Sequence, residues 1–287
     1  MRVSSLSPIK EKGFTIVEVI VVLTVVGILT SLVLGPIGDF YQANTVSLGR
    51  ATKESDIRGV LRQIEKDLTN NKNFSDAYTV AAPLGAKVGS TWGANWSYNG
   101  MGGNYPERRV LIASVPATSA LPNNDPTNSR YPIFATTGTC PTEPTASLAT
   151  NVAIIYYMAP APTSSASQPP SQNNPYNLYR RTIVPELTGG ATYCYGRTPA
   201  QKTTCAPGVT NTVCRGIDAL LVSDIRSFEV DYYLSQDIAT TINGAYTVTP
   251  ANPITDAKAI RITAKTGQIV NGAASTIEAS IRISRTY

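Results

Sequence analysis

The longest apolar run of the chain, Phe14–Leu34, lies close to the N-terminus and contains one charged residue, Glu18. A helix rises 1.5 Å per residue, and about 20 apolar residues cross the hydrocarbon core of a bilayer. The run therefore predicts a membrane-spanning helix over about residues 14–36. Lys10 and Lys12 precede it, and positive residues of this kind keep the N-terminal side in the cytoplasm.

A second apolar pattern follows Pro36 at helical spacing. Its members share one face of a helix, and they are Ile57, Val60, Leu61, Ile64 and Leu68. Asn70 and Asn71 form a stop signal. Together the two patterns predict one long helix over residues 14–70, whose second half rests its apolar stripe on a sheet.

Beyond the helix the pattern changes to short runs in which apolar and polar residues alternate, which is typical of antiparallel strands. The predicted strands are Arg109–Val115, Val152–Met158, Asn177–Val184, Arg226–Leu234, a strand around Ile260–Thr263, and Ile277–Ser284. Long loops separate them, and the plainest, Ala159–Pro175, predicts an exposed hairpin tip because it has little apolar surface to bury. We therefore predict an α+β fold, with a long N-terminal helix packed against an antiparallel sheet in a head formed by residues 71–287.

Composition narrows the choice of function. The chain has 287 residues, a formal net charge of +5 and no histidine. The lack of histidine removes Ser-His-Asp catalysis and histidine-ligated metal sites. The modest charge, without a dense basic run, argues against nucleic-acid binding. No catalytic residues, no metal site and no cofactor are predicted.

The four cysteines are Cys140, Cys194, Cys205 and Cys214, each in a segment rich in Gly, Pro or Thr. An even number in loops, behind a membrane-targeting segment, indicates disulfides in an oxidising compartment. Three pairings remain open, with a staple in the Cys194–Cys214 region favoured because three of the four lie there. Free thiols and a four-cysteine zinc site are the alternatives.

Two further groups of residues invite a chemical interpretation. Asp218, Asp224, Glu229 and Asp231 form an acidic cluster in the sequence, for which a solvated sheet face is favoured over a hard-cation site. The segment Gly93–Tyr105 mixes glycines with Trp96, Tyr98 and Tyr105, and core packing with turns is favoured over a surface- or sugar-binding role.

Glu18 is the residue that a plain membrane anchor does not explain. A charged side chain inside the hydrocarbon costs about 2.5–3.5 kcal/mol at mid-membrane and less towards the edge. The run contains no Lys or Arg to pair with it. The partner is therefore expected on another molecule, or in a new amine made by cutting the chain nearby. A secretory signal peptide fits less well, since no small-x-small cleavage site follows the run.

The residues Lys12-Gly13-Phe14-Thr15-Ile16-Val17-Glu18, followed by the apolar helix, resemble the processing site of type IV prepilins and pseudopilins. The resemblance implies a leader of residues 1–13, cleavage between Gly13 and Phe14 by prepilin peptidase, and N-methylation of Phe14. It also implies that Glu18 meets the terminal amine of a neighbouring subunit, and that the helix breaks or melts near Gly35 and Pro36. The head resembles, in scattered segments, the W-type minor pilins and the J-type minor pseudopilin.

The leading hypothesis is thus a structural subunit, without catalysis, of a type IV pilus or a type II secretion-like filament. Its implied partners are other pilins or pseudopilins and the inner-membrane assembly platform. Its implied location is the cytoplasmic membrane, as a single-pass protein with the head outside the cytoplasm, and then the filament. The alternative is a membrane-anchored adhesin that never polymerises and keeps its first thirteen residues.

Overall fold

The computed structural model describes most of the chain after residue 14. The described residues are 15–69, 73–80, 84, 95–98, 107–119, 131–143, 148–162, 164–165, 167–171, 173–209, 212–233, 254, 257–270 and 273–284. The chain divides into two compact units, Met1–Ala51 and Thr52–Tyr287.

One helix, α1 (Ile16–Leu68), extends through both units. In the first unit its large apolar side chains are exposed, from Ile16 to Leu34 and on to Phe40 and Tyr41. By length and composition this is a helix that could cross a membrane, and it is the one such helix among the described residues. The predicted long helix is confirmed.

The helix continues through Gly35 and Pro36 without interruption. The break expected there does not occur in the single chain. Proline removes one backbone donor and strains the preceding turn, and Gly35 and Gly38 on either side of it are weak helix formers. The helix nevertheless runs from Ile16 to Leu68. Melting on assembly concerns another state of the protein and stays a prediction.

The rest of the described chain is mainly β-structure. The strands are β1 (Asn73–Ser75), β2 (Ala77–Thr79), β3 (Asn95–Ser97), β4 (Leu111–Pro116), β5 (Ala135–Thr136), β6 (Asn151–Pro160), β7 (Tyr176–Ile183), β8 (Thr192–Tyr193), β9 (Thr204–Cys205), β10 (Gly216–Ile217), β11 (Ala219–Tyr233), β12 (Ala259–Val270) and β13 (Ala273–Ser284). Seven of them form one sheet in the order β1-β4-β6-β7-β11-β12-β13, with every neighbouring pair antiparallel. The predicted α+β architecture is confirmed.

The second part of α1 packs on one face of this sheet. Its buried side chains are those of the predicted stripe, namely Ile57, Val60, Leu61, Ile64 and Leu68. Polar contacts tie down both ends of the packed segment. Lys53 Nζ lies 2.5 Å from Asp224 Oδ2, and near the helix end Arg180 Nε lies 2.6 Å from Asp67 Oδ2.

The opposite face of the sheet is also covered in its centre. Trp96, Ile155, Tyr157 and Tyr179 belong to a second apolar cluster there. Strand β6 is covered on both faces, and nine of its ten residues are buried. Its sequence is therefore a nearly continuous apolar run without alternation. Trp96 and Tyr98 are thus core residues, as predicted, whereas Tyr105 lies outside the described residues.

Strand β11 is longer than predicted because it changes partner part-way. Residues Ala219–Ile225 pair with β7, and Ile225–Tyr233 pair with β12. Asp224 sits at this change with φ of 57°, a left-handed conformation that non-glycine residues rarely adopt. The predicted end at Leu234 lies outside the described residues.

The segment Ala159–Pro175 joins β6 to β7 as an antiparallel hairpin connection, as predicted, although Ala159 and Pro160 belong to β6. Its described residues are largely exposed but well organised. Asn174 is buried, and its Nδ2 donates to the carbonyl oxygens of Ser165, Gln168 and Pro169. Buried polar groups need such partners, so this loop folds around an asparagine.

Candidate functional site

The start of α1 carries a reciprocal pair of polar contacts between Thr15 and Glu18. The Thr15 backbone N–H donates to Glu18 Oε2 at 3.0 Å, and the Thr15 hydroxyl donates to the same oxygen at 2.9 Å. The Glu18 backbone N–H in turn donates to Thr15 Oγ1 at 3.3 Å. This is a capping box, in which residues three apart satisfy each other's backbone donors at a helix start.

This capping box gives Glu18 hydrogen-bond partners within its own chain. The expectation that its charge is paired by another molecule, or by an amine made by cleavage, stays a prediction. The T-x-x-E spacing of Thr15 and Glu18 is the signal in the sequence that predicts this capping box. The hydrogen bonds come from neutral groups, so they bring no positive charge to pair with the carboxylate. A cation placed beside Glu18 would still be favourable, because two buried charges that pair offset each other's cost.

Other polar side chains of the apolar run are also satisfied within the helix. Thr24 Oγ1 donates to the Ile20 carbonyl at 2.8 Å, and Ser31 Oγ donates to the Ile28 carbonyl at 2.8 Å. In hydrocarbon an unsatisfied donor is costly, and such back-bonding removes the penalty. Each polar group described here is therefore compatible with a membrane segment. Gly13 and Phe14, where cleavage is predicted, lie outside the described residues.

The cysteines pair as Cys140–Cys194 and Cys205–Cys214, each with a Cα–Cα distance of 5.6 Å. The predicted disulfides are therefore present. The Cys205–Cys214 bridge lies within the region favoured for a staple, while the other ties that region to a segment 54 residues earlier. The Cys140–Cys194 pairing depends on contacts between distant segments, which the spacing of the cysteines does not predict.

The four acidic residues of the predicted cluster do not converge. Each has its own cation, in the pairs Asp218–Arg181, Asp224–Lys53, Glu229–Lys265 and Asp231–Arg261. The described residues contain no group of three or more potential metal ligands among His, Cys, Asp and Glu. Glu229 and Asp231 lie half-exposed, as predicted for a sheet face in contact with solvent. Asp218 departs from that expectation because it is buried.

Asp218 belongs to a buried ion pair that the sequence did not reveal. Its side chain and that of Arg181 are both 0% exposed, with 2.5 Å between Arg181 Nη2 and Asp218 Oδ2. Tyr157 Oη and Thr204 Oγ1 donate to the same carboxylate at 2.6 and 2.9 Å. The guanidinium also lies 4.9 Å from the Trp96 ring centroid. Buried charges require this degree of pairing.

The head shifts the pKa values of several other groups. Burial acts to raise the pKa of Glu229, but hydrogen bonds from Ser227 and Lys265 and the charges of Lys265 and Arg261 outweigh it, so the pKa is lowered. Burial and then the negative charge of Asp67 hold the pKa of Tyr156 well above its usual value. The shift of Glu229 thus follows from its hydrogen bonds and neighbouring cations, and that of Tyr156 mainly from burial.

Comparison with known proteins places the candidate site in the N-terminal segment. Residues 9–34 match the prokaryotic N-terminal methylation motif. This match covers Gly13, Phe14, Glu18 and the apolar run, and it supports a type IV pilin-like family. It fits a type IV pilin or pseudopilin precursor and, with the apolar helix, a membrane-anchored protein. No curated protein and no solved structure gave a significant match.

Proposed function

We propose that this chain is a minor subunit of a type IV pilus or a type II secretion-like pseudopilus, and that it performs no catalysis. The observation that carries the proposal is the methylation motif at residues 9–34, on a helix whose residues from Ile16 to Leu34 have no cover within the described chain. An apolar helix surface of this size needs lipid or other helices around it. The helix of a filament subunit is surrounded first by lipid in the membrane and then by the helices of other subunits in the filament.

In this proposal prepilin peptidase cuts between Gly13 and Phe14, and Phe14 becomes the methylated first residue. The cut creates an amine one residue before the Thr15–Glu18 capping box. The capping box holds the Glu18 carboxylate at the helix start while the subunit is single. In the filament the carboxylate meets the terminal amine of a neighbouring subunit, which offsets the cost of burying either charge alone.

Two features favour a minor subunit over a major one. Without residues 1–13 the chain would still have 274 residues (287 − 13), which is large for a major pilin. The head also resembles minor pilins in scattered segments. The partners are then other pilins or pseudopilins in a hetero-oligomeric filament, recruited at the inner-membrane platform. Gly35 and Pro36 mark the part of α1 where helix melting on assembly is expected, because glycine and proline weaken a helix most.

The deciding experiment is intact-mass measurement with N-terminal sequencing of the protein purified from the membrane of its native host. The proposal requires a mature chain that begins at Phe14 and carries one methyl group on its amine. A chain that keeps residues 1–13 and has no added methyl group would instead support a tethered adhesin that does not polymerise.

Assembly itself depends on Glu18 in this proposal. The Glu18→Ala variant should be inserted and processed as before, but its amount in sheared filaments should fall at least about tenfold, since loss of an ion pair worth 1.4 kcal/mol already changes an equilibrium by that factor. Ser31→Ala removes another polar group of the same helix and is the control. Equal incorporation of both variants would contradict the role of Glu18.

A further inference from the structure

The head contains an open cleft of about 890 Å³ whose described lining lies between Val184 and Arg215 and does not include the buried ion pair. Its lining includes Glu186, Tyr193, Pro199, Lys202 and Arg215. The volume lies in the range of about 300–1,000 Å³ that is usual for ligand sites. The cleft plays no part in the proposed assembly.

The walls of the cleft are held in place by several cross-connections. Thr203 Oγ1 accepts from the Val184 backbone N–H at 3.1 Å, and the Arg215 backbone N–H donates to the Thr203 carbonyl at 2.9 Å. The Cys205–Cys214 disulfide closes the chain between these two segments. A cleft with connected walls is pre-organised, which lowers the conformational entropy that the protein must lose when a ligand binds.

Gln201 adds a further connection to a distant segment. Its side-chain amide donates to Thr118 Oγ1 at 2.9 Å, and its carbonyl oxygen accepts from the Thr118 backbone N–H at 3.1 Å. The cleft wall is thus linked both to the strand pair β9–β10 and to the chain that follows β4. It is a folded part of the head and not a gap between loose loops.

The charge of the cleft is positive. Lys202 and Arg215 are exposed, and neither has a carboxylate within 4.0 Å among the described residues. This contrasts with the acidic residues of β11, each of which is paired with a cation. Glu186 is the one carboxylate in the described lining. Two cations that line one preformed cleft, with no carboxylate partner among the described residues, suit an anionic group.

The remaining lining indicates what carries that anion. Tyr193, Leu187, Pro199 and Val213 provide apolar surface, and Thr198 adds a hydroxyl. Sugar rings need this combination, with apolar faces for their C–H groups and polar groups for their hydroxyls. A nucleic acid would need a longer basic track along its phosphates, and the described lining carries two cations.

We infer that the cleft binds an acidic oligosaccharide, with a uronate-type carboxylate held between Lys202 and Arg215 and a sugar ring against Tyr193 and Pro199. The head would then recognise acidic surface polysaccharide, whether or not the chain is assembled into a filament. Glu186 lies in the same cleft and opposes the ligand's charge, so it weakens the binding.

The test uses the full chain in a non-ionic detergent and isothermal titration with trigalacturonate. Galactotriose, a neutral trisaccharide, serves as the comparison ligand. Trigalacturonate should bind measurably, and galactotriose at least about tenfold more weakly, since galactotriose has no carboxylate to pair with the two cations. Absence of trigalacturonate binding, or equal binding of the two sugars, would overturn the inference.

Variants separate a specific site from general attraction to a positive protein. The double variant Lys202→Gln, Arg215→Gln should weaken binding of trigalacturonate at least about tenfold. The variant Lys66→Gln, Arg282→Gln removes the same charge from exposed positions outside the cleft, and it should bind as the parent does. Glu186→Gln should bind more tightly. Equal losses in the two double variants, or weaker binding by Glu186→Gln, would show that the cleft is not the site.

Discussion

Asp218 illustrates how strongly one side chain of the head depends on its neighbours. Its carboxylate takes hydrogen bonds from Arg181, Tyr157 and Thr204, which come from three different strands. Taking two charges out of water costs several kcal/mol per ion unless both are fully paired. Removing one member of the pair leaves the other charge buried without compensation.

We therefore predict that Asp218→Asn lowers the free energy of unfolding of the head by about 3–5 kcal/mol. Asp231→Asn is the matched control, because it makes the same change at an ion pair whose Arg261 side chain is 48% exposed. Exposed pairs contribute about 0–1 kcal/mol. Urea unfolding of both variants, followed by tyrosine and tryptophan fluorescence, measures the difference, and similar losses in the two would contradict the prediction.

Glu229 makes the stability of the head depend on acid pH. Its pKa in the folded state is lowered, and the ordinary value in an unfolded chain is about 4.3. A lowered pKa means that the unfolded state binds the proton more readily. The contribution is therefore complete above about pH 4.3 and is lost as the pH falls through the folded-state pKa.

Glu229→Gln should accordingly flatten the fall in unfolding free energy below about pH 4.5. Lys265→Met should flatten it too, since Lys265 Nζ lies 2.9 Å from Glu229 Oε1 and favours the ionised form. Urea midpoints measured from pH 3 to pH 7 test both variants. Curves parallel to that of the parent protein across this range would contradict the assignment.

Among the elements, α1 was the most predictable and the short strands were the least. The stripe from Ile57 to Leu68 repeats for three helical turns, so its periodicity identifies both the helix and its buried face. Strands of two or three residues, such as β5 and β8–β10, are too short to show an alternation. The central strand β6 shows none because both of its faces are buried.

The candidate functional residues also differ in how far the sequence predicts them. The processing motif and Glu18 are local in sequence, so they were found there. The Arg181–Asp218 pair was not found, because it depends on the antiparallel pairing that places Ala219 opposite Arg180. The cleft likewise needs segments around Val184, Thr203 and Arg215 to meet, and no local spacing predicts that meeting.

The packing of α1 on the sheet gives a prediction for this element. Ile64 is 0% exposed at the centre of the stripe, so Ile64→Ala should lower the free energy of unfolding of the head by about 2–5 kcal/mol, from lost burial and from the cavity left behind. Gln63→Ala, at the neighbouring exposed position, should change it by less than about 0.5 kcal/mol. Chemical denaturation checks both, and a small effect of Ile64→Ala would mean that the helix does not pack as described.

For the whole molecule, the two disulfides connect parts of the head that the main sheet does not join directly. Cys194 follows the short strand β8 and is linked to Cys140, while Cys205 ends β9 and is linked to Cys214. The two bridges close loops of very different length, since their sequence separations are 54 and 9. A crosslink restricts the unfolded chain more when it closes a longer loop.

The chain-entropy relation gives about 4 kcal/mol for the loop closed by Cys140–Cys194 and about 2.5 kcal/mol for that closed by Cys205–Cys214. We therefore predict that Cys140→Ala, Cys194→Ala destabilises the head more than Cys205→Ala, Cys214→Ala does, by about 1.5 kcal/mol. Alanine suits both cases because Cys194 and Cys205 are buried, and a hydroxyl there would add its own penalty. Urea unfolding of the two variants under non-reducing conditions provides the comparison. A larger loss of unfolding free energy in Cys205→Ala, Cys214→Ala would contradict the prediction. That bridge would then act mainly by holding the native strands beside Asp218, and not by restricting the unfolded chain.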